Sequence, residues 1–282
     1  ELLSGMYVHG GIGSDNLFLL DGVPLYQVSH LAGLFSSFNT DIIENVDFYK
    51  SGFPARYGSR MSSIVDVSTK DGDMQEYHGL FSIGLLDGRF QFEGPIVKGR
   101  TSFNVAMRRS WIDVLSVPAL AIVNGTMRDK TRLHYAFGDF NAKVTHLFAP
   151  DNKLTAAFYY GKDSFNFGFD YVGQYMYGEL IPGGEDLTDS DGIELKWGNI
   201  LASLRWQNRL TDQLTSDINA YYTKFSSGTE YHSYWWDHLG EEVFALEGAK
   251  ENGRSGISDI ALKTGFRWQP SPVHDVWFGA AY

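Results

Sequence analysis

The feature that most constrains the fold of this chain is a period-two alternation of apolar and polar residues, which runs from about residue 79 to residue 282. The stretch 200–210 carries it most clearly, with Ile200, Ala202, Leu204, Trp206 and Leu210 on one face and Ser203, Arg205, Gln207 and Arg209 on the other. Such alternation predicts β-strands with one apolar and one polar face. We expect about eight strands of about 15 to 20 residues, well above the five or six typical of soluble sheets.

Composition narrows the possibilities further. No apolar run approaches the eighteen or so residues of a membrane-spanning helix, so a chain of this kind could cross a bilayer only as a closed β-barrel. The 20 Phe, 16 Tyr, 7 Trp and 31 Gly favour sheet over helix. There are no cysteines, which excludes disulfides and thiolate sites. The net charge of −11 argues against nucleic-acid binding and would suit cations or neutral, hydroxyl-rich ligands.

Turns and loops follow a regular order along this alternating region. Short polar turns are predicted around 98–100, 150–152, 211–213 and 271–273, and long connections around 116–133, 169–193 and 233–254. Short turns at one end of a sheet and long loops at the other are typical of outer-membrane barrels. The apolar phase shifts between Leu85 and Phe90, which predicts a β-bulge near Asp87 and Gly88.

The first 77 residues have a different pattern. Short apolar runs at 17–20, 42–49 and 64–67 are separated by glycine-rich and polar turns. This pattern predicts a small α/β globule of short strands, with a helix or turn around 30–38. We therefore divide the chain into 1–77, a small domain, and 78–282, the beginning of a larger antiparallel sheet.

At this point the sequence resembles the TonB-dependent receptor family. The plug domain of that family carries a "DG…P" element, then "ie.vev.kG…a.YG" and "i.i.TK", to which we match Leu20-Asp21-Gly22-Val23-Pro24, 43–52, Ala55-Arg56-Tyr57-Gly58 and 64–70. The residues of these motifs are most similar to those of receptors from Bacteroidota. One departure is that Arg60-Met61-Ser62-Ser63 stands where many members have a Gly-Gly pair.

The resemblance implies a mainly β fold: part of a transmembrane antiparallel β-barrel, preceded by the carboxy-terminal part of a small α/β plug domain. An eight-stranded barrel is filled by its own side chains, so it could not also hold a plug. We therefore expect a piece of a longer protein, whose family has barrels of about 22 strands.

Candidate ligand-binding residues lie in two places. The aromatic cluster Tyr231, Tyr234, Trp235 and Trp236, on a predicted outer loop, could stack on flat ligands, pack the loop or mark a lipid boundary. In the family that the sequence resembles, the outer loops of the plug face the incoming substrate. The resemblance therefore implies that Tyr26, Gln27 and His30 contact the ligand. Candidate ion pairs between plug and barrel involve Arg56, Arg60, Glu93 and Arg108. A water-filled channel wall is the alternative explanation for these charges.

The resemblance implies import of a scarce ligand across the outer membrane, with energy supplied by the TonB complex. The ligand could be a siderophore, cobalamin, an oligosaccharide or a peptide, and a surface lipoprotein could assist. We expect no enzyme activity, catalytic residue, metal site, cofactor or nucleic-acid partner. Two rivals remain: a passive porin or adhesin barrel, which would have no plug, and a soluble all-β glycan-binding module, whose apolar face would be packed in a core.

Overall fold

The computed structural model describes residues 16–26, 28–30, 35–50, 63–176, 179–240 and 243–282. Within these ranges the chain forms two main sheets, one of four strands and one of nine. The small sheet contains residues up to Thr69, and the large sheet begins at His78. We call the large sheet the wall.

The small sheet has the strand order β2-β1-β6-β5. Its strands are β1 (Asn16–Leu20), β2 (Val23–Pro24), β5 (Ile43–Tyr49) and β6 (Ser63–Thr69). β1 and β6 are parallel, and the other two pairs are antiparallel. The apolar runs predicted as short strands are confirmed. The region 30–38, predicted as a helix or turn, contributes β3 (Ser29–His30) and β4 (Phe35–Ser36), an antiparallel pair, and a 3-10 turn follows at Thr40–Ile42.

The wall is an antiparallel sheet in which each strand pairs with its neighbours in the chain, apart from the small pair β12 (Tyr175–Met176) and β13 (Glu179–Leu180). Its strands are β7 (His78–Ile83), β8 (Asp87–Val97), β9 (Thr101–Ser110), β10 (Lys130–Ala149), β11 (Asn152–Val172), β14 (Thr188–Thr211), β15 (Leu214–Gly240), β16 (Val243–Ser271) and β17 (His274–Ala281). The four short turns predicted from the sequence join these strands at one end of the wall.

The two faces of the wall differ in polarity, and the polar face is the buried one. On β10, the polar residues Asp139, Asn141 and Lys143 are buried, whereas Val144 and Phe148 on the opposite face are exposed. On β14, Leu204 and Trp206 are likewise exposed. We call the polar face, which packs on the small sheet, the inner face, and the apolar face the outer face. A soluble sheet buries its apolar face, so this arrangement is that of a lipid-facing wall.

The phase shift between Leu85 and Phe90 has a different cause from the one predicted. The bulge prediction is wrong: the chain reverses at 84–86, where the Gly84 N–H donates to the Asp87 carbonyl oxygen at 2.8 Å. β7 and β8 then form a hairpin in which Ile83 pairs with Gly88. A turn that restarts the alternation changes the phase in the same way as an inserted residue.

Two of the long predicted connections are shorter than expected, because the strands extend into them. β15 and β16 cover most of 233–254, and β11 and β14 cover parts of 169–193. The third connection contains the helix α1 (Ile112–Thr126), which the sequence analysis did not predict. Among the described residues, no helix is both long and apolar enough to span a membrane.

The wall changes height between β9 and β10. β7, β8 and β9 have 6, 11 and 10 residues, whereas β10, β11, β14, β15 and β16 have between 20 and 29. Beyond the end of β9, side chains satisfy backbone groups of β10: Ser110 Oγ accepts from Phe137 N–H, and Asn124 of α1 bonds both the N–H and the carbonyl of Thr131. Part of the edge of the taller strand is therefore covered without a neighbouring strand.

Candidate functional site

The small sheet contacts the inner face of the wall through an apolar patch flanked by charges. Leu20, Val23 and Val67 of the small sheet pack in one cluster with Leu201 and Tyr221 of the wall. All five side chains are buried. The small sheet therefore shares its largest described apolar cluster with the wall, and the two form one packed interface.

A first charge cluster, the histidine cluster, surrounds His30. Its imidazole lies between two carboxylates of the wall, with Nδ1 2.5 Å from Asp163 Oδ1 and Nε2 3.0 Å from Asp139 Oδ1. The ring also stacks on Phe137 at a centroid distance of 4.3 Å. Both ring nitrogens face acceptors, which is the environment of a doubly protonated imidazolium.

The two carboxylates of this cluster have further donors on the wall. Arg108 Nε donates to Asp139 Oδ2 at 2.8 Å, and Arg108 Nη2 donates to the Ser36 carbonyl of the small domain at 2.6 Å. The Tyr159 hydroxyl donates to Asp139 Oδ1 at 2.9 Å, and the Tyr135 hydroxyl donates to Asp163. Each buried charge is therefore paired and hydrogen-bonded, as burial requires.

The position of His30 determines its protonation. Burial by itself lowers the pKa of the imidazole, but the charges and hydrogen bonds of Asp139 and Asp163 outweigh burial and raise the pKa of His30 to about 9. At neutral pH the small domain therefore presents a positive charge to a negative pocket of the wall.

A second charge cluster, the lysine cluster, has the opposite polarity. Lys143 of the wall reaches Asp21 at 3.2 Å and Asp71 at 3.0 Å, and its ammonium donates to the Thr69 carbonyl at 2.6 Å. Lys153 adds a bond of 2.8 Å to Asp71. Burial raises the pKa of Asp71, but Lys143 and Lys153 more than reverse that effect, so its pKa is lowered overall.

The geometry of Asp21 explains the Asp-Gly element of the sequence. Asp21 and Gly22 both have positive φ, at 51° and 80°, in the turn between β1 and β2. The Asp21 carboxylate accepts from the Thr69 N–H at 2.9 Å and from the Thr69 hydroxyl at 2.7 Å. The same carboxylate thus ties the turn to the end of β6 and meets Lys143.

A polar cavity of about 150 Å³ lies beside the lysine cluster, between the small sheet and the wall. Its lining includes Asp21, Asp71, Lys143, Lys153 and Arg205. A space of this size and polarity can hold several water molecules. The interface is therefore apolar at its centre and polar at this side.

Beyond the row of Phe137 and Asp163, the inner face of the wall becomes aromatic. Residues that oppose one another across four strands form one row, Leu133, Phe167, Ile193 and Tyr231, and the next row is Tyr135, Phe165, Leu195 and Thr229. The registers contain no shift in this region, so these residues lie on the same face as Asp163. We call the inner face of 131–137, 165–171, 189–197, 225–237 and 245–257 the upper wall.

The structure separates the four predicted aromatic residues between two faces. They lie on β15, within the strand, where the sequence analysis predicted a loop. Tyr231 and Trp235 have the inner-face parity of Tyr221, whereas Tyr234 and Trp236 have the opposite parity. Only Tyr231 and Trp235 therefore face the same space as the small domain.

The remaining predicted residues have varied positions. The Tyr26 hydroxyl donates to Asp259 of β16, and the His30 side chain is buried in the histidine cluster. Arg108 joins the small domain to the wall as described above. Glu93 makes no ion pair with any residue that the structure describes. Gln27, Arg56 and Arg60 lie outside the described residues.

The sequence analysis missed most of the residues that hold the two domains together. The alternation along β10 places Asp139 and Lys143 on its polar face, but nothing in a single sequence connects them to His30 or Asp21, more than 100 residues away. Tyr159 is also buried in the interface. The available signal was a polar residue at every second position on a strand that also carries an apolar face.

Residues 3–64, in the first part of the chain, match the family model of the TonB-dependent receptor plug domain. The predicted fold class, mainly β, is confirmed by the two sheets of the structure. No curated protein sequence matches the chain.

Several solved structures align with most of this chain at low sequence identity. The outer membrane transporter YddB from Escherichia coli aligns with 97% of this chain and 49% of its own, at 12% identity and a TM-score of 0.42. A mutant ferric enterobactin receptor (PfeA) from Pseudomonas aeruginosa aligns over 96% and 55%, at 11% identity and 0.38. The FrpB iron transporter from Neisseria meningitidis aligns over 92% and 56%, at 10% identity and 0.38. The chain spans about half the length of these proteins.

Proposed function

We propose that this chain is part of a TonB-dependent outer-membrane receptor, which binds a scarce ligand outside the cell and imports it through a plugged β-barrel. The observation that carries the proposal is that a plug-family domain packs on the polar inner face of a sheet whose apolar outer face is exposed. In this proposal 1–77 is plug and 78–282 is the first part of the barrel.

The interface contacts suit a plug that must move. Its charges are paired across the boundary between domains, so separation exchanges ion pairs for contacts with water. Separation of a wholly apolar interface would expose apolar surface to water, at a cost of about 25 cal/mol per Å². A pull from the TonB complex can therefore release the plug without unfolding the wall.

The upper wall is the proposed ligand surface, with Tyr26 near its base. Among the related structures, one is described as a ferric enterobactin receptor and another as an iron transporter. For this chain we retain siderophores, cobalamin, oligosaccharides and peptides as the ligand classes to be tested. An origin in Bacteroidota and a surface lipoprotein partner remain part of the proposal, on the resemblance of the plug motifs.

The two rival functions are less consistent with the geometry. A passive porin would not need a domain held on its inner face by two charge clusters. A soluble glycan-binding module would bury Leu204, Trp206 and Phe148, which are exposed. Binding and gated movement, without covalent chemistry, account for the described residues.

A disulfide lock tests whether plug movement is required. The chain has no cysteines, and the Thr223 hydroxyl of β15 donates to the Pro24 carbonyl of the plug at 2.9 Å. We expect a Pro24→Cys/Thr223→Cys disulfide to stop uptake of radiolabelled ligand in cells, and a reductant to restore it. The matched control is Leu204→Cys/Ala220→Cys, a pair of opposed residues within the wall, which should leave uptake unchanged.

Uptake should be assayed in a deletion strain with iron complexes, cobalamin and glycans, with and without a collapsed proton gradient. The proposal predicts that the transported compound enters only when the gradient is present. Uptake that persists without the gradient, or in the oxidised Pro24→Cys/Thr223→Cys variant, would contradict it.

A further inference from the structure

Charges are sorted by face on the upper wall and on its outer side. Strand alternation places every Lys and Arg of these strand segments on the outer face: Arg132, Lys196, Lys250 and Arg254. The inner positions of 131–137, 165–171, 189–197, 225–237 and 245–257 contain neither Lys nor Arg. They contain carboxylates instead: Asp189, Asp191, Asp237, Glu247 and Glu251.

The carboxylates on the outer face have partners there, which keeps the outer side from being acidic. Asp170 lies 3.2 Å from Arg132, Glu230 lies 2.7 Å from Lys250, and Glu194 contacts Lys196. The inner face has no such cations on its own strands within those segments. The potential in the space above the plug is therefore negative along this wall.

Two of the inner carboxylates lie directly opposite aromatic side chains. Tyr231 of β15 pairs with Glu251 of β16, and Trp235 pairs with Glu247. Tyr231 is 44% exposed and Trp235 is 38% exposed, so both rings are accessible. An aromatic face beside a carboxylate is the combination that binds organic cations, because the ring and the charge attract the same ligand.

We propose that the upper wall binds a cationic ligand with a flat or apolar surface, and that it disfavours polyanionic complexes. Tyr231 and Trp235 supply the stacking surface, Glu251 and Glu247 supply the charge, and the row of Leu133, Phe167 and Ile193 continues the apolar surface. This inference rests on the proposed function, since it names the ligand class of the same surface.

The test uses two dyes that share a xanthene core and differ in charge. Rhodamine 123 is a cation and fluorescein is a dianion. Fluorescence polarisation with the purified full-length receptor in detergent should give a dissociation constant at least about tenfold lower for rhodamine 123. Added salt should reduce the difference between the two dissociation constants, because exposed charges are screened within about 10 Å at 0.1 M.

Variants assign the preference to the inner face. Glu247→Gln/Glu251→Gln should weaken rhodamine 123 binding about tenfold and leave fluorescein binding unchanged or stronger. Trp235→Ala should weaken binding of both dyes. The matched control, Glu230→Gln, removes a carboxylate from the outer face of β15, the strand that carries Trp235, and should change neither constant by more than about twofold.

Three results would overturn the inference: equal or tighter binding of fluorescein, an unchanged rhodamine constant in the double variant, or an equal loss in Glu230→Gln. Heat-dependent gel migration of each variant identifies any barrel that has not folded. These outcomes are independent of the gradient dependence of uptake, so a failure of the charge preference is distinguishable from a failure of the transport proposal.

Discussion

The histidine cluster and the lysine cluster hold the same domain against the same wall with opposite polarity. In the histidine cluster the plug supplies the cation, His30, and the wall supplies the anions, Asp139 and Asp163. In the lysine cluster the wall supplies the cations, and Asp21 and Asp71 supply the anions. Reciprocal charges of this kind fix the position of the plug, because a shifted plug would bring like charges together.

The clusters also differ in how they respond to pH. The cation of one is an imidazolium whose pKa is raised to about 9, whereas the other contains Asp71, whose pKa is lowered by Lys143 and Lys153. The first cluster therefore loses its charge near pH 9, and the lowered pKa of Asp71 keeps its pairing in more acidic solution. Each cluster can be weakened separately, which makes the comparison testable.

The largest effect should come from the lysine cluster. Lys143→Met leaves Asp21 and Asp71 without their shared cation, and breaking a partly buried pair in this way costs about 3–5 kcal/mol. We expect the plug to become protease-sensitive at a much lower urea concentration while the barrel remains folded. Lys224→Met, on the outer face, is the control and should leave the midpoint unchanged. Equal midpoints for Lys143→Met and wild type would show that this cluster does not hold the plug.

The second-largest effect should come from alkaline pH, which weakens the histidine cluster. The folded-state pKa of His30 is raised from 6.5 to about 9, so its contribution is fully present below pH 6.5 and is lost as pH rises through 9. The shift corresponds to about 3 kcal/mol of plug stability. Urea midpoints for plug protection should fall between pH 6.5 and 9 in wild type and stay flatter in His30→Gln. Parallel curves for the two proteins would contradict this assignment.

Removing one carboxylate of the wall should lower plug stability less than removing the charge of His30. Asp163→Asn keeps the shape of the side chain but removes its charge, and charged hydrogen bonds contribute about 1.5–3 kcal/mol. The same protease assay should detect this loss. Asp170→Asn, on the outer face of the same strand and paired with Arg132, should cost at most about 1 kcal/mol. A larger loss in Asp170→Asn than in Asp163→Asn would refute the difference between the faces.

The smallest predicted effect concerns the turn that presents Asp21. Gly22 has a φ of 80°, and a Cβ there would meet only Asn219 Nδ2 at 3.6 Å. Gly22→Ala should therefore cost only the backbone strain of a left-handed residue, about 1–2 kcal/mol. Gly253→Ala, where a Cβ meets nothing within 4 Å, is the control and should be tolerated. A neutral Gly22→Ala would mean that the turn relaxes without moving Asp21.

Local patterns in the sequence predicted the strands and the faces of the wall. The period-two alternation on β10 and β14 places Phe148 and Leu204 on the apolar face and Lys143 on the polar face, and the structure has the same division. The hairpin at 84–86 was misread because a turn and a bulge shift the alternation identically. The helix α1 was missed because Pro118 and several β-branched residues lower its helix propensity.

The contacts between the domains could not be predicted from the sequence, for a physical reason. His30 and Asp163 are 133 residues apart, and their pairing depends on how the plug is rotated against the wall. No local periodicity records that rotation. A polar position on an inner face could equally contact water, so its partner becomes evident only when both sheets are placed.

The step in wall height between β9 and β10 has a consequence for how sequences that form such a wall could diversify. Ser110 and Asn124, rather than a strand, satisfy the overhanging backbone of β10 at Phe137 and Thr131. An insertion in 111–129 can thus lengthen or shorten the rim locally, with no change in the register of any strand below it. The end of the wall can therefore vary in outline while the strands below it stay unchanged.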